Sequence, residues 1–140
     1  MNLTKAEAIN LIVNFYMLYK GIWIDYKYNN SIIDKFIEAE LTCIYEEDER
    51  RIIPNEKGTE ILYEHFVEIS QEFIKFMQRK GLECPYNEVL TWFMTTYNLK
   101  SMDVIEDICF LVSNKLYQFG YKANLPHPDR QDDKVIVWKI

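Results

Sequence analysis

The stretch between residues 41 and 81 constrains the fold of this chain more than any other part of it. Two β-rich segments, TCIYE and RIIP, flank the short charged turn EDE, which is the pattern of a β-hairpin. Pro54 ends the second strand, and Asn55 is placed to cap a helix of about twenty residues that ends near Lys80-Gly81. The predicted buried face of that helix consists of Leu62, Phe66, Ile69, Phe73, Phe76 and Met77.

Two helices are predicted before this hairpin. Thr4 and Glu7 form a capping-box pattern in front of an apolar stripe that ends at Gly21. The members of the stripe are Ala8, Ile9, Ile12, Phe15, Tyr16 and Tyr19. Residues 22–28 alternate between apolar and polar side chains, so they predict either a short strand or an aromatic-rich turn. A second helix is expected over 31–41.

Two more helices and a second hairpin are predicted after Gly81. A fourth helix opens at Cys84-Pro85 and runs to about residue 98, and a fifth, capped by Ser101, covers 102–119. The expected buried residues of the fourth helix are Val89, Leu90, Phe93, Met94 and Tyr97. The segments YKA and VIVW read as strands joined by the polar loop PHPDRQDD. The predicted fold class is therefore mainly α with two small β-hairpins (α+β), in one compact unit over residues 1–140.

The segment IIDKFIEAELTCIYEEDERRIIPNEKGTEILYE resembles a known family. Its hairpin tip and the following helix start contain Asp48, Arg50, Arg51, Pro54, Asn55, Lys57 and Gly58. These residues are similar to the Asp-x-Arg-Arg wing tip and the Leu-Thr-x-Lys-Gly helix start of MarR-type regulators, with Asn55 in place of the Thr. The resemblance covers about residues 31–66, the recognition-helix and wing region, and it implies a winged-helix fold.

The order of elements in the chain also repeats. Residues 85–140 repeat the helix, helix, hairpin order of residues 4–54. This pattern raises the hypothesis of a duplicated winged helix, with halves over 1–80 and 81–140.

The resemblance implies association with double-stranded DNA, as in a transcription regulator. In such domains the recognition helix enters the major groove and the wing lies along phosphate. The residues implied to contact DNA are Asn29, Asn30, Ser31, Lys35, Arg50 and Arg51. The chain as a whole is acidic, with 16 Lys and Arg against 22 Asp and Glu, and residues 31–66 contain ten acids against four bases. That charge opposes phosphate binding.

The charge supports an alternative function, an acidic protein-binding module such as a phage or mobile-element effector that engages a basic, nucleic-acid-binding protein. Its interface would consist of Glu60, Glu64, Glu68 and Glu72, at i, i+4 spacing, with Tyr16, Tyr19 and Trp23. The aromatic residues are also typical of a dimer contact, and we expect a homodimer through the first helix and the long helix.

Catalysis is not expected. His65 and His127 are far apart, and the chain has no glycine-rich phosphate loop, GxSxG, HExxH or CxxC motif. The loop residues His127, Asp129, Asp132 and Asp133 have oxygen and nitrogen donors but no defined ligand spacing, so we expect no cofactor or metal. Three cysteines without pairing, no bilayer-length apolar run and a polar N-terminus predict a cytoplasmic protein with no membrane association.

Overall fold

The protein is described by a computed structural model that covers residues 1–17, 22–23, 31–45 and 48–140, without the side chains of residues 22, 23, 48 and 49. Within these ranges there are five α-helices, α1 to α5, at Lys5–Met17, Ser31–Glu38, Glu56–Arg79, Tyr86–Tyr97 and Met102–Asn114. The six strands, β1 to β6, are Ile22–Trp23, Thr42–Tyr45, Asp48–Pro54, Glu83–Pro85, Tyr121–Asn124 and Lys134–Lys139. A 3₁₀ turn covers Leu116–Phe119. None of the described helices is both long and apolar enough to cross a membrane.

The predicted α+β class is confirmed, but each expected hairpin belongs to a three-stranded antiparallel sheet. The strand order is β1-β3-β2 in one sheet and β4-β6-β5 in the other, so the last strand of each sheet lies in its centre. The chain divides into two compact units, Met1–Phe66 and Val67–Ile140, with the boundary inside α3. The division into halves at residue 80 stays a prediction.

In the unit Met1–Phe66, the predicted capping box begins α1. The Thr4 hydroxyl accepts from the Glu7 amide at 3.1 Å, and the Glu7 carboxylate accepts from the Thr4 amide at 3.0 Å. Phe15 packs against Phe36 of α2 with ring centroids 6.0 Å apart. Tyr16, expected to be buried, is 39% exposed, because the apolar stripe of α1 faces the core only up to Phe15. Tyr19 lies outside the described residues.

Helix α2 ends at Glu38, three residues before the expected Leu41. Glu40 adopts a left-handed conformation with φ of 59°, and the Leu41 amide donates back to the Phe36 carbonyl at 3.2 Å. This arrangement satisfies the last carbonyls of the helix and turns the chain into β2.

The start of α3 is fastened to the end of α2, and Asn55 caps it as predicted. The Asn55 side chain accepts from the Gly58 amide at 2.9 Å and donates to the Glu40 carbonyl at 2.8 Å. The Asn55 amide donates to the Leu41 carbonyl at 2.9 Å. A Cβ on Gly58 would collide with that same carbonyl oxygen, so the close approach of the two segments requires glycine at this position.

In the unit Val67–Ile140, an aromatic cluster joins α3 to α4. Phe73 stacks on Phe93 with centroids 5.6 Å apart, and Trp92 stacks on Phe76 at 4.9 Å. All six residues predicted for the buried face of α3 are buried. Met94, expected in the core, is 38% exposed.

Strand β4 was not predicted. Its three residues Glu83, Cys84 and Pro85 pair with β6, about fifty positions later in the chain, and α4 starts only at Tyr86. Helix α5 is capped by Ser101 as expected but ends at Asn114, because the chain tightens into the 3₁₀ turn before Gly120.

Candidate binding surfaces

The candidate DNA-contacting residues of α2 lie in a mixed electrostatic environment. Ser31 and Lys35 are both exposed, and Asn29 and Asn30 lie outside the described residues. The Lys35 ammonium is 3.7 Å from the Glu7 carboxylate. The pKa of Glu7 is lowered chiefly by the hydrogen bond that its carboxylate accepts from the Thr4 amide, and the charge of Lys35 lowers it further. The positive charge of α2 is therefore partly neutralised before any ligand arrives.

The two arginines of the predicted wing differ in exposure. Arg50 and Arg51 are consecutive residues of β3, in the part of the strand where the β2–β3 register shifts between Ile44 and Tyr45. Arg50 is exposed, whereas Arg51 is half-buried opposite Trp23 of β1 in the sheet register. Of the two guanidinium groups, that of Arg50 is therefore the more accessible to a ligand.

Acidic side chains dominate the rest of this unit. Residues 1–66 contain 12 acids and 7 bases, against 10 and 9 in residues 67–140. Exposed acids follow Lys35 on and after α2 and continue on the first turns of α3: Glu38, Glu40, Glu56, Glu60 and Glu64. The negative charge of the chain is thus concentrated in the unit Met1–Phe66.

The glutamates of α3 divide into two groups. Glu60 and Glu64 belong to the first unit and are exposed. In the second unit, the half-buried Glu72 accepts from the Tyr97 hydroxyl at 3.0 Å, while Glu68 remains exposed. Burial, followed by the charge of Glu72, raises the pKa of Tyr97, so the phenol stays a donor. Glu72 is therefore engaged with α4 inside the second unit, and only Glu60, Glu64 and Glu68 of the four predicted interface glutamates are exposed.

Of the three aromatic residues predicted for the alternative interface, Tyr16 is the one whose side chain lies in the described part of the chain. Its side chain is 39% exposed at the end of α1. Trp23 is in β1, and its side chain is outside the described set.

The candidate catalytic groups are engaged in local structure. The Lys5 ammonium lies 2.9 Å from Nδ1 of His65, which makes that nitrogen an acceptor. Nδ1 of His127 accepts from the Asp129 amide at 3.2 Å in an exposed loop. No cluster of three or more His, Cys, Asp or Glu that could hold a metal ion occurs in the described ranges.

The buried thiols are unreactive by their environment. Burial raises the pKa of Cys84 to about 11, with a further contribution from Glu88, which accepts from the thiol at 3.4 Å. Burial also raises the pKa of Cys109 to about 12. Both side chains therefore remain thiols at neutral pH and are poor nucleophiles.

A groove of about 220 Å³ in the second unit was not predicted from the sequence. We call it the aromatic–lysine groove, and its lining includes Ser113, Asn114, Tyr117, Tyr121, Lys122 and Trp138. A sequence signal was present, because residues 108–128 contain two lysines and no acid. That signal indicates charge only, since the groove itself needs α5, β5 and β6 to come together.

A wider groove of about 340 Å³ lies beside α4 in the same unit. Its lining includes the stacked pair Phe76 and Trp92, and the Lys80 ammonium, which also lines it, is 3.7 Å from the Glu88 carboxylate. The charges in this second groove are therefore compensated internally.

Comparison of this chain with protein-family models, with curated proteins and with solved structures found no match.

Proposed function

We propose that this chain is a non-enzymatic protein of winged-helix type, whose unit Met1–Phe66 binds a basic, nucleic-acid-binding protein through its acidic surface. The placement of charge in that unit carries the proposal. Acids outnumber bases there by 12 to 7, and the exposed ends of α2 and α3 present glutamates.

The strand order supports the winged-helix part of the proposal. In both sheets a first short strand pairs with the last strand, and the last two strands form the hairpin. In the second unit the order is helix, strand, helix, helix, strand, strand, with α5 in the position of a recognition helix. The residues of the first unit that resemble a MarR wing tip and helix start lie on β3 and at the beginning of α3.

The charge distribution favours a protein partner over duplex DNA. A protein that binds phosphates gains free energy because its Lys and Arg side chains displace counterions from the nucleic acid. The cations available on α2 and β3 are Lys35, which is paired with Glu7, the exposed Arg50 and the half-buried Arg51. A basic protein surface, in contrast, would complement the exposed glutamates and would be steered towards them at low ionic strength. Duplex DNA binding through the predicted residues stays a prediction.

The experiment compares three full-length chains. The first is the wild type, the second carries Glu38→Lys, Glu60→Lys and Glu64→Lys, and the third is a control. In the control, three exposed acids of the second unit are changed to lysine instead: Asp129, Asp132 and Asp133. Affinity capture from the cells that encode the chain should retain a basic protein on the wild type and the control. The Glu38/Glu60/Glu64 variant should lose it, since its contact surface changes sign.

A titration with duplex DNA tests the alternative, that the chain binds DNA through the predicted wing. Fluorescence anisotropy with a mixed-sequence duplex is measured at low and moderate salt, with Arg50→Glu/Arg51→Glu beside the wild type. Saturable, salt-sensitive binding that this double variant abolishes would establish the wing as a phosphate contact and would refute the protein-partner proposal. The predicted homodimer is tested separately by sedimentation equilibrium.

A further inference from the structure

The aromatic–lysine groove exposes two large rings that the core of its unit does not use. Tyr117 is 58% exposed in the 3₁₀ turn, and Trp138 is 44% exposed on β6. Trp138 lies directly opposite Lys122 in the β5–β6 register, so their side chains project from the same face of the sheet. Aromatic rings in this position are available to stack on a ligand.

The groove also contains positive charge that no acid compensates. Lys122 lines it, and Lys115 caps the end of α5. Lys139 follows Trp138 on β6 and projects from the opposite face of the sheet, so it does not contribute. Within the described part of the chain neither Lys122 nor Lys115 forms an ion pair, and residues 108–128 contain no acid. The neighbouring Lys134 differs, since its ammonium is 3.5 Å from Glu83.

Two polar side chains at the end of α5 lie in the groove wall. Burial raises the pKa of Cys109, and a hydrogen bond from Ser113, which is 6% exposed, partly offsets that rise. Asn114 beside Ser113 is exposed and also lines the groove. The opposite wall is fixed, because the Tyr121 hydroxyl accepts from the Gln78 amide at 3.1 Å. The groove therefore offers polar groups beside rings and cations.

We propose that the aromatic–lysine groove binds single-stranded nucleic acid, with bases stacked on Tyr117 and Trp138 and backbone phosphates beside the lysines. A groove that combines cations with exposed aromatic faces matches the requirements of a single strand, whose unpaired bases all present a π face. A duplex keeps its bases stacked on one another and leaves these rings unused. An acidic peptide would use the lysines but would leave the two ring faces without a flat partner.

The experiment uses the full chain and a fluorescein-labelled oligothymidylate of about 12 nucleotides, a length within the range that one such site covers. Two phosphate contacts on a single strand predict a salt slope of about −1.4, so affinity should fall roughly 17-fold between about 20 and 150 mM salt. Tyr117→Ala and Trp138→Ala should each weaken binding by about 5- to 150-fold, the range measured for loss of one stacked base.

Matched controls separate the groove from the rest of the unit. Lys122→Glu should weaken binding at least about 5-fold and flatten the salt slope, whereas Lys100→Glu, an equal change at an exposed site outside the groove lining, should leave both unchanged. Phe110→Ala removes an exposed ring outside the groove lining and should have no effect. Thermal melting of each variant checks that it is folded.

Three results would overturn the proposal. The first is the absence of saturable binding at low salt. The second is equal loss in Lys122→Glu and Lys100→Glu, or equal loss in folded Trp138→Phe and Trp138→Ala, since phenylalanine retains a stacking face. The third is tighter binding of oligoglutamate with the same dependence on Lys122 and Trp138, which would identify an acidic peptide as the ligand.

This inference is independent of the proposed function, because the two depend on different units. Arg50→Glu/Arg51→Glu should leave oligothymidylate binding unchanged, and the Lys122 variant should leave the captured basic protein unchanged.

Discussion

Replacement of Gly58 by alanine tests how the end of α2 and the start of α3 are held together. The added Cβ would collide with the Leu41 carbonyl oxygen and would lie 3.1 Å from the Phe36 ring. That carbonyl accepts the Asn55 amide at 2.9 Å, so moving it weakens the junction between α2 and α3. Overpacking costs about 1–3 kcal/mol and the weakened hydrogen bond about 1 kcal/mol, while alanine regains about 1 kcal/mol of helix propensity. We therefore expect a net loss of about 1–3 kcal/mol in the free energy of unfolding.

Urea denaturation followed by circular dichroism at 222 nm measures this loss. With a slope of about 2 kcal/mol/M, the midpoint of Gly58→Ala should fall by about 0.5–1.5 M. Thr59→Ala is the matched control, because Thr59 is exposed on the same turn and its replacement should change stability by less than about 0.5 kcal/mol. A Gly58→Ala midpoint equal to or above that of the wild type would refute the close approach of the Leu41 carbonyl to α3.

Three further predictions concern the cap, a carboxylate and the thiols. Asn55→Ala should cost about 1–2 kcal/mol in the same urea assay, whereas Asn55→Asp, which keeps the acceptor for the Gly58 amide, should cost less. Burial, followed by the charge of Asp103, raises the pKa of Asp107, so the folded state loses stability as pH rises through that pKa. Asp107→Asn should therefore raise the melting temperature at pH 7 more than at pH 3, and a lower value at pH 7 would contradict this. A thiol-reactive chromophore should label one cysteine rapidly in the native protein, the exposed Cys43, and all three in urea, and rapid native labelling of Cys84 would be inconsistent with its burial.

Local signals in the sequence were sufficient for the helices and their caps. The cap by Asn55 and the apolar stripe of α3 depend on residues within a few turns of one another, and both were predicted. Periodicity does not tell how far along a helix its buried stripe continues. Tyr16 and Met94 fit their stripes by spacing but lie where the helix extends past its packing partners.

Non-local pairing explains what the sequence did not predict. Strand β4 has three residues, and its pairing with β6 joins positions about fifty residues apart. The aromatic–lysine groove has the same origin, since Tyr117 and Trp138 meet only when α5 and the β5–β6 hairpin pack. The difference in exposure between Arg50 and Arg51 also depends on pairing, because both lie where the β2–β3 register shifts.

In both units, different side chains determine the strand order of the sheet and the kind of ligand that the surface can bind. Both sheets place the last strand in the centre, an arrangement determined by buried residues such as Ile52 and Val137 and by the turns. The exposed charges do not affect that arrangement, and they differ, with an excess of five acids in the first unit and of one in the second. Because the field outside the protein steers its partners, a polyanion is repelled by the first unit and can approach the lysines of the second. The Arg50/Arg51 and Lys122 variants therefore test the two units separately. Although the two sheets share one strand order, we expect the second unit to bind nucleic acid and the first unit to repel it.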